Sequence, residues 1–239
     1  MIAIRRAAVI GARGAGALAV LGVGYLARNW YRYGKVSTRG SADPLLDRFM
    51  PTYEVREYHE ARVAAPAEIT FEAARSMDIT GSRLVRGIFR ARELVMRAAR
   101  DAGRQPRPLL EEVQALGWGV LAEERDREIV LGAVTQPWLP NVRFESLAPE
   151  EFASFARAGY VKIAWTLAVE PIDAASSIVR TETRATTTDQ YARDRFRRYW
   201  ALVSPGVRLI RVESLRLVRA EAGRRFRAAR AQRTADVVV

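Results

Sequence analysis

His59 is the only histidine in the chain, and there is no cysteine. Without cysteine there is no disulfide framework, thiolate metal site or cysteine nucleophile. A zinc site built on several histidines is excluded, and a serine–histidine–aspartate triad would have to use His59. Glu57 stands two positions earlier. Residues two apart share a face of a strand, so Glu57 could orient His59 as a general base. These two are the weak catalytic candidates. The bland alternative is a satisfied or exposed histidine near a sheet end. No metal and no cofactor is expected.

The element that must carry the pair is Glu54 to Ala64, whose alternation reads as a strand with Glu57, His59, Ala61 and Val63 on one face. Pro66-Ala67-Glu68 opens a helix, with proline near its first position and an acid in its first turn. Ser82 can cap a second helix that runs to about Arg100, with Leu84, Val85, Ile88 and Phe89 at helical spacing. The period then changes to two. Trp118–Glu124 and Glu128–Gln136 form a hairpin about Arg125-Asp126-Arg127, and Tyr160–Glu170 and Ile178–Thr188 form another. Val161, Ile163, Trp165 and Leu167 share one side, as do Thr181 and Thr183. Arg180, Glu182 and Arg184 alternate on the opposite face and read as a solvated charge ladder. Asp189 caps a long helix with Phe196, Tyr199 and Trp200, and Ser204-Pro205-Gly206 should kink or break it.

That order is one strand, two helices, an antiparallel meander and a long helix. An antiparallel sheet must cover its apolar face, and the last helix is best placed to do so. The strand ending Val63-Ala64-Ala65-Pro66-Ala67-Glu68, the helix with Phe71, the two hairpins and the helix with Phe196, Tyr199 and Trp200 resemble the START-like, polyketide cyclase superfamily (SRPBCC, helix-grip fold) over about residues 53–220. The Pro-rich stretch 137–159 departs from the family's continuous strands. The resemblance implies an α+β fold, with a curved antiparallel sheet wrapped on a long C-terminal helix. It also implies a cavity for a hydrophobic small molecule or lipid, or a cyclase or dehydratase site. Its lining would be Val161, Ile163, Trp165, Leu167, Thr181, Thr183, Phe196, Tyr199 and Trp200, which equally suit core packing.

The formal charge is +12, but residues 51–188 carry 18 basic and 20 acidic side chains. The excess sits at the two ends, which disfavours nucleic acid as a partner of the central domain. Residues 1–33 read as a basic and apolar membrane-anchor segment with its span near 8–27. Trp30, Tyr31 and Tyr33 would lie at the headgroup boundary. Gly11, Gly14 and Gly16 resemble a dinucleotide loop but lack the following strand and ribose acid. Residues 34–52 have a linker composition, and 221–239 form a basic tail that could meet anionic headgroups. Arg5, Arg6 and Arg13 before the span, against Arg28, Arg32, Lys35 and Arg39 after it, point to a cytoplasmic domain. The leading expectation is a membrane-tethered binding module for a hydrophobic molecule. The rivals are a cyclase or dehydratase enzyme and a structural or partner-binding domain without a ligand.

Overall fold

The computed structural model describes residues 43–78, 81–96 and 108–238, together with 24, 25, 27, 28, 30, 31, 33 and 34. The strands are β1 (Val55–Val63), β2 (Gly119–Glu124), β3 (Glu128–Thr135), β4 (Phe144–Glu145), β5 (Val161–Asp173) and β6 (Ser176–Thr187). The helices are α1 (Pro44–Asp47), α2 (Ala67–Arg75), α3 (Arg83–Met96), α4 (Leu109–Ala115), α5 (Pro149–Ser154) and α6 (Gln190–Val238). The strands form one antiparallel sheet in the order β1-β6-β5-β3-β2, with β4 beside β3.

Alternation along the strands sends odd-numbered residues of β1, β3, β5 and β6 to an inner face beneath α2 and α6. There Val63, Phe71, Ile129, Leu131, Leu167, Val169, Val179, Leu215 and Val218 form the main core. Even-numbered residues go to an outer face. Val130, Val134 and Ala164 meet Leu46, Phe49 and Met50 of a strap around α1, and Phe152 of α5. Every residue of β3 is buried, so its sheet position is covered on both sides.

The arrangement is helix-grip-like, but several expectations need correcting. The sheet is not strongly curled around the helix, and its edge strands β1 and β2 do not pair with each other. Among the described residues no helix is long and apolar enough to cross a membrane. The membrane-anchor helix, membrane partnership and membrane localisation are therefore withdrawn. Most of the expected span, and the Gly11–Gly16 motif, lie outside the described residues. Two of the aromatic residues assigned to a headgroup boundary, Trp30 and Tyr33, instead meet the domain. Tyr33 packs edge-on against Phe196 at 6.1 Å, and its hydroxyl donates to Glu54. The Arg197 guanidinium lies 4.0 Å from the Trp30 ring centre.

The linker-like segment 34–52 contains α1, capped by Asp43 with Pro44 in its first turn. It buries Leu45, Leu46, Phe49 and Met50. The expected solvated ladder lies under this strap: Arg180, Glu182 and Arg184 are buried. Finally, α6 runs through Pro205 without a break. Proline removes one helical hydrogen bond. Packing of Phe196 before it and of Leu215 and Val218 after it holds both halves to the same sheet.

Candidate functional site

The register of β1 sets Glu57 opposite Thr183 and His59 opposite Thr181. The register of β5 sets Trp165 opposite Thr183 and Leu167 opposite Thr181. All belong to the inner face. Helix α6 lays Arg208 and Arg211 over them.

Arg211 Nη1 donates to Thr181 Oγ1 at 2.9 Å, and Nη2 donates to Thr183 Oγ1. Its guanidinium lies 5.1 Å from the Trp165 ring centre, and Trp165 Nε1 also donates to Thr181 Oγ1, at 2.5 Å. Arg211 thus has two hydroxyls and an aromatic face as partners, with the Glu57 charge nearby. Burial pushes its guanidinium down to about 10, against the opposing pull of Glu57, so it remains a cation at neutral pH.

His59 Nε2 and Arg208 Nε each lie 3.6 Å from Glu57 Oε2, longer than a hydrogen bond. His59 Nε2 is buried and makes no hydrogen bond. The Tyr25 hydroxyl acts on Arg208 and holds that guanidinium above its ordinary range, with burial acting the other way. A proton placed on Nε2 would point toward Glu57 and leave Nδ1 as the basic nitrogen.

The expected lining separates into three groups. Trp165, Thr181 and Thr183 join Glu57 and His59 in the polar cluster. Leu167 belongs to the main apolar core. Val161, Ile163, Phe196, Tyr199 and Trp200 form an aromatic cluster with Val55 and Ala185 toward the start of α6. Phe196 is its centre, with Tyr199 at 6.3 Å and Trp200 at 5.9 Å.

Arg208, Arg211 and Tyr25 were not expected in the site. A signal for the arginines existed. Ser204, Arg208, Arg211, Leu215, Val218 and Ala222 recur at spacings of four and three, so the arginines interrupt a buried stripe. Farther along α6, the Arg-rich tail forms local pairs: Arg216 with Glu213, and Arg224 and Arg225 with Glu221. Among the described residues no three acidic or histidine side chains group as metal ligands.

No family model matches this chain, and no curated protein matches it. Solved structures of similar fold exist. The di-domain ARO/CYC BexL from the BE-7585A biosynthetic pathway is 15% identical with a TM-score of 0.34, over 70% of this chain and 46% of that one. This chain thus spans about half the length of BexL. The Zhui aromatase/cyclase from Streptomyces is 15% identical with a TM-score of 0.29, over 73% and 97% of the two chains. A START superfamily protein from Mycobacterium smegmatis is 11% identical with a TM-score of 0.31, over 73% and 98%. These likenesses bear on neither ligand nor reaction. The fold itself, a sheet gripping one long C-terminal helix, is helix-grip-like.

Proposed function

We propose that the chain is an enzyme of cyclase or dehydratase type, working at the cluster of Glu57, His59, Arg211, Thr181 and Thr183 beneath α6. The membrane-tethered binding module is set aside, because no described helix can cross a membrane. The observation that carries the proposal is Arg211. A half-buried cation held by neutral hydroxyls over an indole favours an anionic or developing-anion guest. Beside it stands the only histidine, with a carboxylate 3.6 Å away.

A β-hydroxy ketone illustrates the chemistry. His59 removes a proton from the carbon between carbonyl and carbinol. The carbonyl oxygen becomes an enolate oxygen facing the Arg211 guanidinium. The enolate collapses to an α,β-enone, the β-hydroxyl leaves with the proton held on His59, and water is the second product. Glu57 orients the imidazole and stabilises its charged form. Contacts of 3.6 Å that tighten when substrate arrives are usual for resting acid–base pairs.

The test is enone formation from an aryl β-hydroxy ketone, followed by absorbance. Turnover above buffer, falling about 100-fold in His59→Ala with unchanged circular dichroism, is expected for one general base. Turnover that survives His59→Ala unchanged, or none at all across a series of such ketones, would remove this reading.

A further inference from the structure

Asp43 caps α1: its Oδ1 accepts from the Leu46 amide at 2.9 Å. Its other oxygen, Oδ2, is buried and has no donor. A second buried carboxyl, that of Glu128 on β3, lies close enough for the two side chains to act on each other. Asp43 is 2% exposed and Glu128 4%. Glu128 Oε1 accepts the Thr166 hydroxyl at 2.9 Å. Its Oε2 lies 3.8 Å from Arg180 Nη2, beyond a hydrogen bond. Arg180 instead donates through Nη1 to Glu170, while its buried Nε has no partner.

The remaining charged groups around the pair have their own positions. Glu124, opposite Glu128 on β2, is exposed. Glu60 faces Arg180 across β1 and β6 and accepts from the Tyr58 hydroxyl. Within the strap, Asp47 pairs with Arg184, and Arg48 is exposed. None supplies a donor to Asp43 Oδ2.

Two buried carboxyls in contact cannot both ionise cheaply. A single proton between them also supplies the donor that Oδ2 lacks. We propose that the strap Asp43–Met50 is a proton-operated latch: protonated Glu128 bonds Asp43 and holds α1 on the sheet, and loss of that proton releases it. Burial, then the Asp43 charge, raise Glu128 to about 7, which places the change near neutral pH. The sign follows. The folded state holds the proton more tightly than an open strap does, so closure is strongest in mild acid and weakens as pH rises through the raised value. Release would uncover the seat of Leu46, Phe49 and Met50 on Val130, Val134 and Ala164. It would also take Asp47 and the Met50 carbonyl away from Arg184.

Amide hydrogen exchange of the full chain at pH 6 and pH 8 tests this, with rates normalised to unstructured peptide at each pH. Protection of residues 44–50 should fall about tenfold or more between the two, while β5 and β6 change little. Glu128→Gln places a permanent amide donor against Asp43 and should abolish the fall. Asp43→Asn keeps the helix cap and removes one of the two charges, so it should flatten the profile too. Equal protection at both pH values in the wild type overturns the latch, as does an undiminished fall in Asp43→Asn. If Glu128→Gln does not fold, Asp43→Asn decides.

Discussion

The two faces of β6 carry polar residues in alternation, yet the structure treats them in opposite ways. On the outer face, Glu182 is 1% exposed. Arg56 reaches both of its oxygens at 2.7 Å, and Arg184 Nε reaches one at 2.7 Å. Arg184 goes on to the Met50 carbonyl at 2.8 Å and to Asp47, with its guanidinium 4.7 Å from the Tyr53 ring. On the inner face, one residue away in either direction, Thr181 and Thr183 hold an arginine without a carboxylate in contact. There Glu57 Oε2 stands 3.6 Å from both the His59 imidazole and the Arg208 guanidinium. A short, saturated network fixes a sheet to its cover. A cluster with long contacts and an unpartnered imidazole nitrogen is not saturated in the same way.

The largest effect should come from the saturated side. Glu182→Ala strands two buried guanidinium groups, and losing one partner of a buried network costs about 3–5 kcal/mol. Urea unfolding should show this as a lower midpoint with little change in slope. The pH dependence has a definite sign. Burial acts to raise the Glu182 carboxyl, but hydrogen bonds from Arg56 and Arg184 outweigh it and hold the group below its ordinary range. Its stabilisation is therefore present above the unfolded carboxylate value and is lost as pH falls through the lowered folded value. Glu182→Ala should flatten the acid limb of the stability profile. A variant as stable as wild type would mean that the network does not fasten the strap.

Legibility in the sequence depended on whether a signal was periodic. The alternation of β1, β5 and β6 puts Glu57, His59, Thr181 and Thr183 on one face, and the strand registers agree. Alternation also puts Arg180, Glu182 and Arg184 on the other face, but periodicity says nothing of what covers a face. The cover is Asp43–Met50, where neighbouring Gly, Ser and Pro residues give 34–52 the composition of a linker. Its Asp-Pro start and its Leu-Leu and Phe-Met pairs are the helix signal within that stretch. Arg211 is hidden by company: among many arginines on α6, only its place in a buried stripe distinguishes it. The span assigned near residues 8–27 rested on composition, and Tyr33 shows its limit. The same aromatic that suits a headgroup boundary packs equally well on Phe196.

The next effect is on outer packing. A methyl group at Gly132 would lie 2.5 Å from Leu121 Cδ1, 2.9 Å from Leu121 Cγ and 3.0 Å from Phe152 Cε2. Leu121 and Phe152 are both buried, so neither can retreat without moving the layer. Gly132→Ala should cost about 1–3 kcal/mol, as overpacking a dense core does, with the loss visible in the thermal midpoint. On the inner side, Arg211→Met should separate stability from chemistry. The variant gives up two hydroxyl contacts but also the cost of burying a cation, and methionine fills irregular space well. Stability should stay within about 1 kcal/mol of wild type. Turnover of a β-hydroxy ketone should fall about 100-fold or more, the scale of losing an oxyanion donor. A large loss of stability instead would make Arg211 a structural residue like Glu182.

The smallest effect sharpens the contrast. Gly206 follows Pro205 in α6, and a methyl group there would lie 2.9 Å from Ile88 Cγ2 of α3, the only atom it would crowd. Alanine gains about 1 kcal/mol over glycine inside a helix. Against this stands one crowded methyl contact, on a helix whose Leu84 is exposed and whose Ile88 is only half-buried. A helix packed along one side can shift by a few tenths of an ångström, whereas a layer enclosed between strap and sheet cannot. The two terms should nearly cancel, leaving Gly206→Ala within about 1 kcal/mol of wild type. The measurement is the difference in urea midpoint between Gly206→Ala and Gly132→Ala on the same chain. If Gly206→Ala proves the more damaging, the α3–α6 contact is packed as tightly as the outer layer. The softer half of the molecule would then have to be sought in the polar cluster alone.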